Sequence, residues 1–303
     1  FKNITLISPS FNFKKDSSRY YKYLICLIEL IKILFKNNDI TVFSFQANLY
    51  CTIICKLFGA NIIVRSNSSP SGWSKNIIKK FFYKNILKLA DKVIVNSYDF
   101  KKQFKFFFSV DAECIYNPLN KKEIIQKSKE RINLPFFVKN KKKIIKLINV
   151  ARFTSQKDHI TLLKSLNLIK NKVDFRMIII GQGAQKNFIK NYINENNLSE
   201  KIKIVNFQKN PFKFIKQSDA FILTSRYEGL PNVLLEAIAL KKLIISTDCP
   251  TGPREILKNG KGGELFKVGD YFALSKKISS YAKNKLSYNK KINFAYNSLN
   301  RFD

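Results

Sequence analysis

The chain has 303 residues, of which 45% are hydrophobic, so it can bury the core of one or two domains. Its 55 Lys and Arg against 21 Asp and Glu give a net charge of +34, which favours nucleic acid, an anionic membrane face or a phosphorylated ligand as partner. A composition rich in Lys, Asn, Ile and Phe, typical of an AT-rich genome, explains the charge equally well. Arginine is scarce, which argues against base readout, where it makes the commonest specific contact.

Five cysteines occur without a CxxC pair or a Cys/His cluster. This pattern predicts reduced thiols in the cytoplasm and no metal site, and it favours core packing for Cys51 and Cys55, which share a helix face. The most apolar helical run, residues 23–35, is shorter than the about 20 residues that span a bilayer. We therefore expect a packed helix there, and we find no signal peptide.

Short apolar, β-branched runs alternate with helix-length segments. After a first run at residues 4–7, the predicted strands are residues 40–45, 62–65, 92–96, 113–116, 144–150, 175–180, 202–207, 220–223 and 243–246. Such strands are typical of a parallel sheet that is buried on both faces, and the intervening helices predict a doubly wound α/β architecture.

A charged helix, a proline and a Lys-rich run interrupt this pattern between residues 117 and 143, after which strand and helix alternate again. We therefore predict two Rossmann-like domains, residues 1–140 and 141–303, that face a cleft. Ligands of such sheets bind beyond the carboxyl ends of the strands. The run at 4–7 is not followed by a Gly-rich turn and the chain begins with Phe1, so we expect the N-terminal domain to be incomplete.

Two glutamates follow the strand predicted at 220–223. Glu228 lies in a Gly/Pro loop, and Glu236 lies in an apolar helix predicted at 231–240. Glu236 stands roughly 7 Å along the axis from Pro231, which is about the distance from a diphosphate to its ribose. It is therefore a candidate acceptor for two ribose hydroxyls, whereas the alternative is an acid on the solvent side of an amphipathic helix.

The start of this helix is a candidate anion site. The backbone N–H groups of Leu230, Asn232 and Val233 have no intrahelical acceptor, and the helix dipole favours negative charge there. Gly229 allows the backbone to approach a ligand closely.

Two cations, Arg152 and Lys157, flank the turn after the strand at 144–150, and Ser155 is a candidate cap of the next helix. They are suited to bind a diphosphate and to neutralise the charge that develops on it as a leaving group. The third element, Gly181-Gln182-Gly183, is a lone GxG turn, which a close strand–helix connection explains without any ligand.

Together, the segments NVARFTSQKD, IIIGQGA, SDAFILTSRYEGLPNVLLEA and ISTDCPTGPREIL resemble the C-terminal half of glycosyltransferase family 4, the retaining enzymes of the GT-B fold. The family signature E-x7-E matches Glu228 and Glu236. The resemblance covers most of residues 140–285, and it is looser in the N-terminal half.

The resemblance implies roles for the candidate residues. Arg152 and Lys157 would bind the donor diphosphate, Glu236 the ribose, and Glu228 the transferred sugar. The helix N-terminus would cradle the phosphate. The remaining donor-site candidates are Gly183 and, beside the nucleobase, Phe207.

The sequence departs from the family at two points. One is the absence of the Gly-rich loop that borders the donor phosphates at the start of the family's N-terminal domain, and the other concerns a histidine. Many members carry a His in the N-terminal domain beside the reaction centre, but the single histidine of this chain, His159, lies in the C-terminal half, where capping or packing is expected. Arg65-Ser66-Asn67 occupies the comparable strand end, which makes Arg65 and Asn67 the acceptor-side candidates.

These implications predict a metal-independent, cofactor-free, retaining glycosyltransferase. It would move a sugar from a nucleoside diphosphate donor, a UDP-sugar, to a lipid-linked glycan acceptor in surface polysaccharide synthesis. The Lys-rich helix at residues 75–88, with Trp73, Phe81, Phe82 and Tyr83, is expected either to rest on an anionic membrane surface as a peripheral anchor or to fill the domain core. The rival interpretation is a basic, non-enzymatic nucleic-acid-binding protein whose aromatic side chains at residues 104–108 stack on bases.

Overall fold

The computed structural model describes residues 18–67, 77–132, 135–138 and 144–302. The chain divides into two compact units, Phe1–Ile115 and Tyr116–Asp303. No helix in the described ranges is long and apolar enough to span a bilayer.

The first unit is a parallel sheet in the order β1-β2-β3-β4, covered by helices. Its strands are β1 (Thr41–Ser44), β2 (Asn61–Ser66), β3 (Lys92–Val95) and β4 (Glu113–Cys114). Its helices are α1 (Arg19–Lys36), α2 (Asn48–Leu57), α3 (Ile77–Lys88) and α4 (Tyr98–Phe108).

Helix α4 contributes an aromatic face to the core of this unit. Ser97 caps the helix by accepting a hydrogen bond from the N–H of Phe100 at 3.2 Å. Phe100, Phe104 and Phe108 then recur every four residues on one helix face, so all three are buried against the sheet. Their rings meet edge to face, with centroids 5.0 and 5.3 Å apart.

The second unit is a parallel sheet in the order β10-β9-β8-β5-β6-β7. Its strands are β5 (Ile145–Val150), β6 (Phe175–Ile180), β7 (Ile202–Val205), β8 (Ala220–Leu223), β9 (Leu243–Thr247) and β10 (Glu264–Phe266). Its helices are α5 (Lys121–Ser128), α6 (Pro135–Val138), α7 (His159–Ile169), α8 (Lys186–Glu195), α9 (Phe212–Gln217), α10 (Asn232–Ala239), α11 (Pro253–Ile256), α12 (Tyr271–Lys283) and α13 (Asn289–Asn297). Separate apolar clusters cover the two faces of the sheet, as the continuous apolar strands predict.

The α/β prediction with two Rossmann-like units is confirmed, and the strands predicted from residue 40 onward are present within a few residues. The run at residues 4–7 lies outside the described residues. The short strand β10 was not predicted.

The division between the units differs from the predicted boundary at 140/141. It lies between Ile115 and Tyr116, because the segment after β4 packs on the second unit. Leu119 and Ile124 at α5 and Phe137 in α6 are buried in the same apolar cluster as α10. The charged surface of α5 therefore conceals an apolar face that belongs to the second sheet.

Candidate functional site

The order of strands in the second unit places the candidate site at its centre. From β5 the chain proceeds outward through β6 to β7, and from β8 it proceeds outward on the other side through β9 to β10. Strands β5 and β8 are parallel neighbours, so the connections after them diverge. Ligands of open α/β sheets bind in the crevice at this switch point, beyond the carboxyl ends of the strands. Arg152 and Lys157 follow β5, and Glu228 follows β8.

Lys157 and Glu228 form an ion pair at the switch point. The Lys157 Nζ lies 2.5 Å from Glu228 Oε1, and the two side chains are 14% and 8% exposed. A buried pair of this kind is a costly arrangement whose partners depend on each other, because each charge would otherwise be left without solvation. The sequence predicted both residues for the site but did not predict their pairing.

Three hydrogen bonds join the loop after β5 to the loop after β8. Thr224 donates its hydroxyl proton to the Lys157 carbonyl at 2.9 Å. The Gln156 side chain donates to the Tyr227 carbonyl at 2.9 Å, and the N–H of Arg226 donates to the Gln156 carbonyl at 2.8 Å. These hydrogen bonds therefore hold together the two loops that carry the partners of the ion pair.

The turn before α7 differs from the predicted one. Ser155 does not cap the helix, because residues Ser155–Lys157 form a separate 3₁₀ turn. Asp158 then adopts a left-handed conformation, with φ of 48°, and α7 begins only at His159. Lys157 is the last residue of the 3₁₀ turn, and its side chain contacts Glu228.

Arg152 is exposed, in contrast to Lys157. Within the described part of the chain its guanidinium has no hydrogen-bond or ion-pair partner, so its charge is available to a ligand.

The GxG turn after β6 packs against the segment that carries Arg152. A Cβ at Gly181 would overlap the Ala151 carbonyl oxygen, and one at Gly183 would lie 2.5 Å from the Phe153 oxygen. Gly183 also has a φ of +149°, which a larger side chain would strain. Close backbone packing thus accounts for both glycines, and a direct role of Gly183 in donor binding stays a prediction.

The N-terminus of α10 has the predicted free donors. The helix begins at Asn232, one residue later than predicted, and Pro231 precedes it as N-cap. Among the described residues, the backbone N–H groups of Leu230, Asn232 and Val233 have no acceptor. The Asn232 side chain accepts a hydrogen bond from Asn117 at 3.0 Å.

Glu236 does not face open solvent, in contrast to the alternative interpretation from the sequence. It lines a cavity of about 170 Å³ together with Asn232 and Leu235 of α10, Phe212 of α9 and residues 118–120 and 123–124 around the start of α5. Burial raises the pKa of the Glu236 carboxyl to about 7. A partly buried acceptor in a cavity is the arrangement that a hydroxyl-bearing ligand requires.

The other predicted residues occupy different positions. Phe207 follows the edge strand β7, and its side chain is 58% exposed. In the first unit, Arg65 lies near the carboxyl end of β2. Its guanidinium donates a hydrogen bond to the Ile115 carbonyl at 3.3 Å. Asn67 Oδ1 lies 3.5 Å from both Arg65 Nε and Asn96 Nδ2, so these side chains form one polar group.

His159 packs in the core. Packing was one of the two roles expected for it, the other being helix capping. It is 1% exposed, and its ring meets Phe153 edge to face at a centroid distance of 5.2 Å. Neither ring nitrogen has a partner among the described residues. Burial, aided by the charge of Lys157, lowers the pKa of His159 to about 4. The ring is therefore neutral at physiological pH. The described residues contain no group of three or more His, Cys, Asp or Glu that could hold a metal ion.

Comparison with known proteins adds four findings. A glycosyltransferase of Methanocaldococcus jannaschii is 36% identical over 189 residues, which cover 61% of this chain and 46% of that protein. The N-acetylgalactosamine-N,N'-diacetylbacillosaminyl-diphospho-undecaprenol 4-alpha-N-acetylgalactosaminyltransferase of Campylobacter jejuni is 28% identical over 229 residues, or 72% of this chain and 60% of that enzyme. The chain thus spans about half the length of these curated relatives.

The crystal structure of Anabaena Alr3699/HepE in complex with UDP and glucose matches the fold with a TM-score of 0.78 at 16% identity, over 94% of this chain and 80% of that one. This likeness shows the GT-B fold. The family model described as Glycosyl transferases group 1 matches residues 130–298, which include the whole second sheet and the candidate site. The chain belongs to the glycosyl transferases group 1 family.

Proposed function

We propose that this chain is a retaining glycosyltransferase that moves a sugar from a nucleoside diphosphate, a UDP-sugar, to a lipid-linked glycan acceptor in surface polysaccharide synthesis. The observation that carries the proposal is the Lys157–Glu228 pair at the switch point between β5 and β8. The Anabaena structure is named as a complex with UDP and glucose, and the name of the Campylobacter enzyme includes a diphospho-undecaprenol acceptor. Both names support the choice of donor and acceptor.

The diphosphate of the donor would bind between the loop after β5 and the start of α10. Arg152 is exposed and has no partner among the described residues, and Lys157 is held at the switch point. The free N–H groups at the start of α10 add fixed partial positive charge. The nucleoside would extend along α10, where Glu236 accepts hydrogen bonds from the ribose hydroxyls in the adjoining cavity.

The transferred sugar would lie beside Glu228. In the proposed reaction, a bond forms between the acceptor oxygen and the anomeric carbon on the face from which the diphosphate departs. The bond from that carbon to the diphosphate oxygen breaks, and the acceptor proton passes to the departing diphosphate. Arg152 and Lys157 neutralise the charge that develops there.

This scheme needs neither an enzymic base nor a metal ion. The departing diphosphate takes the proton, so the buried, neutral His159 has no part in the chemistry. The cations supply the charge neutralisation that a divalent metal provides in other phosphate sites. Transfer is therefore expected to continue in excess EDTA.

The first unit would approach the acceptor at an anionic membrane surface on the cytoplasmic side. On α3, Ile77, Ile78, Phe81 and Phe82 are 84%, 67%, 63% and 55% exposed, next to lysines of the same helix. Tyr83 instead packs on Phe108 in the core, with ring centroids 6.2 Å apart. Tyr83 thus fills the core, whereas the exposure of Phe81 and Phe82 supports the proposed membrane contact, and Trp73 lies outside the described residues. Apolar side chains among lysines suit an interface with anionic lipid.

The nucleic-acid-binding alternative keeps the net charge and Phe106, which is 80% exposed, but two of its aromatic residues are inaccessible. Phe104 and Phe108, two of the aromatic residues that would stack on bases, are 1% and 0% exposed in the core of the first unit. Base stacking requires an accessible ring face.

The proposal is tested by screening nucleotides and nucleotide sugars for a rise in melting temperature. We expect UDP and one or more UDP-sugars to stabilise the protein, and the stabilising UDP-sugar to be consumed when lipid-linked glycans are added. No response to any nucleotide, together with salt-sensitive binding to random oligonucleotides, would overturn the proposal in favour of its rival.

A further inference from the structure

We propose that Thr251 is the positioning residue for Glu228; the inference rests on the proposed function and deepens it. Thr251 is 4% exposed and has a φ of 74°, in the left-handed region. A β-branched residue with positive φ is a genuine outlier, because its Cβ substituents crowd the backbone. Strain of this kind persists only where surrounding contacts maintain it, and it is concentrated at functional sites.

The side chain of Thr251 makes the contact that explains the strain. Its hydroxyl donates to the backbone carbonyl of Glu228 at 2.5 Å. A glycine at this position would relieve the strain but could not make the bond. The hydroxyl therefore offers a reason for a threonine in a conformation that suits glycine.

The next residue brings the two loops into contact. Gly252 has a φ of +88°, and a Cβ there would lie 2.5 Å from the Gly229 carbonyl oxygen and 2.6 Å from Pro231 Cδ. The backbone of residues 251–252 thus lies directly against residues 228–231. This is the segment that carries Glu228 and leads into α10.

The segment that follows residues 251–252 is anchored in the core of the second unit. The Ile256 and Leu257 side chains are 1% and 0% exposed. Arg301 donates to the Glu255 and Ile256 carbonyls at 2.8 Å. Tyr116 donates its hydroxyl proton to the Glu255 carboxylate at 2.5 Å. Thr251 therefore links the Glu228 backbone to a rigid support.

Glu228 is held at two points as a result. Lys157 binds its carboxylate, and Thr251 binds its peptide carbonyl. A carboxylate that contacts the sugar as its bond breaks must be placed closely, since a displacement of about 1 Å can cost about 100-fold in rate. Loss of the Thr251 hydroxyl should thus lower kcat without removing any group that touches the donor.

Three substitutions separate the hydroxyl from the strain. Thr251→Ser keeps the hydroxyl, Thr251→Val keeps the branched shape without it, and Thr251→Gly removes both the hydroxyl and the strain. Lys258→Gly is the matched control, because Lys258 is exposed and also has a positive φ, of 48°. We expect kcat to fall at least tenfold in the valine and glycine variants, with KM for the donor within about threefold of the wild type. The serine variant and the control should retain wild-type kcat, and the glycine variant should melt no lower than the valine variant.

A second readout does not depend on turnover. The ¹³C NMR signal of the Glu228 carboxyl, assigned with Glu228→Gln, should keep its wild-type shift in Thr251→Ser and move in Thr251→Val and Thr251→Gly. A wild-type shift in all three variants overturns the positioning role, whether or not the protein transfers a sugar. Wild-type kcat in the valine and glycine variants overturns it equally. Absence of transfer by the wild type would instead count against the proposed function.

Discussion

The Lys157 ammonium lies 2.5 Å from a Glu228 carboxylate oxygen, although the two residues are 71 positions apart in the chain. The pair joins the loops that follow two neighbouring strands, β5 and β8, at the point where the connections of the sheet diverge. In the proposed reaction, one partner binds the leaving group and the other contacts the sugar. The ion pair therefore holds the residue proposed to bind the leaving group next to the residue proposed to contact the sugar, before a donor binds.

Lys157→Ala and Arg152→Ala should differ in their effect on stability. Loss of Lys157 leaves the Glu228 carboxylate buried without its cation, which costs about 3–5 kcal/mol. Arg152 is exposed and unpaired in the described chain, so its loss should change stability by about 0.5 kcal/mol or less. Both variants should weaken UDP binding by about 1.5–3 kcal/mol, because each removes a charge-assisted contact. Denaturant unfolding and UDP calorimetry measure the two effects, and a double variant, Lys157→Ala with Glu228→Gln, should recover part of the lost stability.

Equal stability of the two single variants would contradict the assignment of a buried pair. Wild-type UDP affinity in both would remove these cations from the donor site.

Glu236 makes stability depend on pH in an unusual direction. Burial raises its pKa from 4.5 to about 7, so the folded protein binds more protons than the unfolded chain between these values. The contribution to stability is therefore complete below pH 4.5 and lost as pH rises through 7. Glu236→Gln is neutral at every pH, so it should be more stable than the wild type at pH 8. This stability advantage should shrink progressively as pH falls.

Melting temperatures of the wild type and Glu236→Gln at pH 5 and pH 8 measure this difference. A stabilisation of 1 kcal/mol corresponds to about 2–4 °C for a domain of 150–250 residues. An identical difference between the two proteins at both pH values would show that the carboxyl titrates normally.

His159 acts in the opposite direction. Its pKa is lowered from 6.5 to about 4, so the unfolded chain takes up the proton first as pH falls. The stability that the neutral ring contributes is present above pH 6.5 and is lost as pH falls toward 4. His159→Leu should flatten this part of the acid unfolding curve. Because the chain has a single histidine, the imidazole NMR signal gives its pKa directly, and a value near 6.5 would contradict the buried site.

The exposed face of α3 should contribute to membrane binding. Wild-type protein is expected to cosediment with anionic vesicles at low salt and to be released at high salt, because lysines supply much of the attraction. Phe81→Ser combined with Phe82→Ser should weaken binding, whereas Phe188→Ser, at an exposed position on α8, should not. Equal, weak binding to neutral and anionic vesicles would contradict the proposal.

The sheets were predictable because continuous apolar runs leave few alternatives to buried parallel strands. The strand β10 was missed because it has three residues and begins with Glu264. That carboxylate is compensated by Lys277 and Lys291, at 2.6 and 2.5 Å, and nothing in the local sequence indicates these distant partners.

The sequence indicated that Lys157 and Glu228 lie at one edge of the sheet, but it did not indicate their local geometry. Both residues follow strands, which pointed to a shared edge. The sequence suggested a helix cap at Ser155, whereas the structure has a 3₁₀ turn and a left-handed Asp158 before α7. The role inferred for Thr251 had no local signal, since a threonine gives no indication of positive φ. Such features arise from tertiary contacts and not from local propensity.

The two glutamates provide the most direct test of the donor site, because they are assigned to different parts of the same ligand. Titration of Glu228→Ala and Glu236→Ala with UDP, alongside their transfer rates, is the measurement. Glu236→Ala should weaken UDP and UDP-sugar binding alike, by about 1–3 kcal/mol, since the ribose is common to both. Glu228→Ala should keep nearly wild-type UDP affinity and lose far more in turnover, because UDP lacks the sugar that Glu228 contacts. Equal losses of UDP affinity in the two variants would contradict this division, and wild-type binding and turnover in both would contradict the site itself.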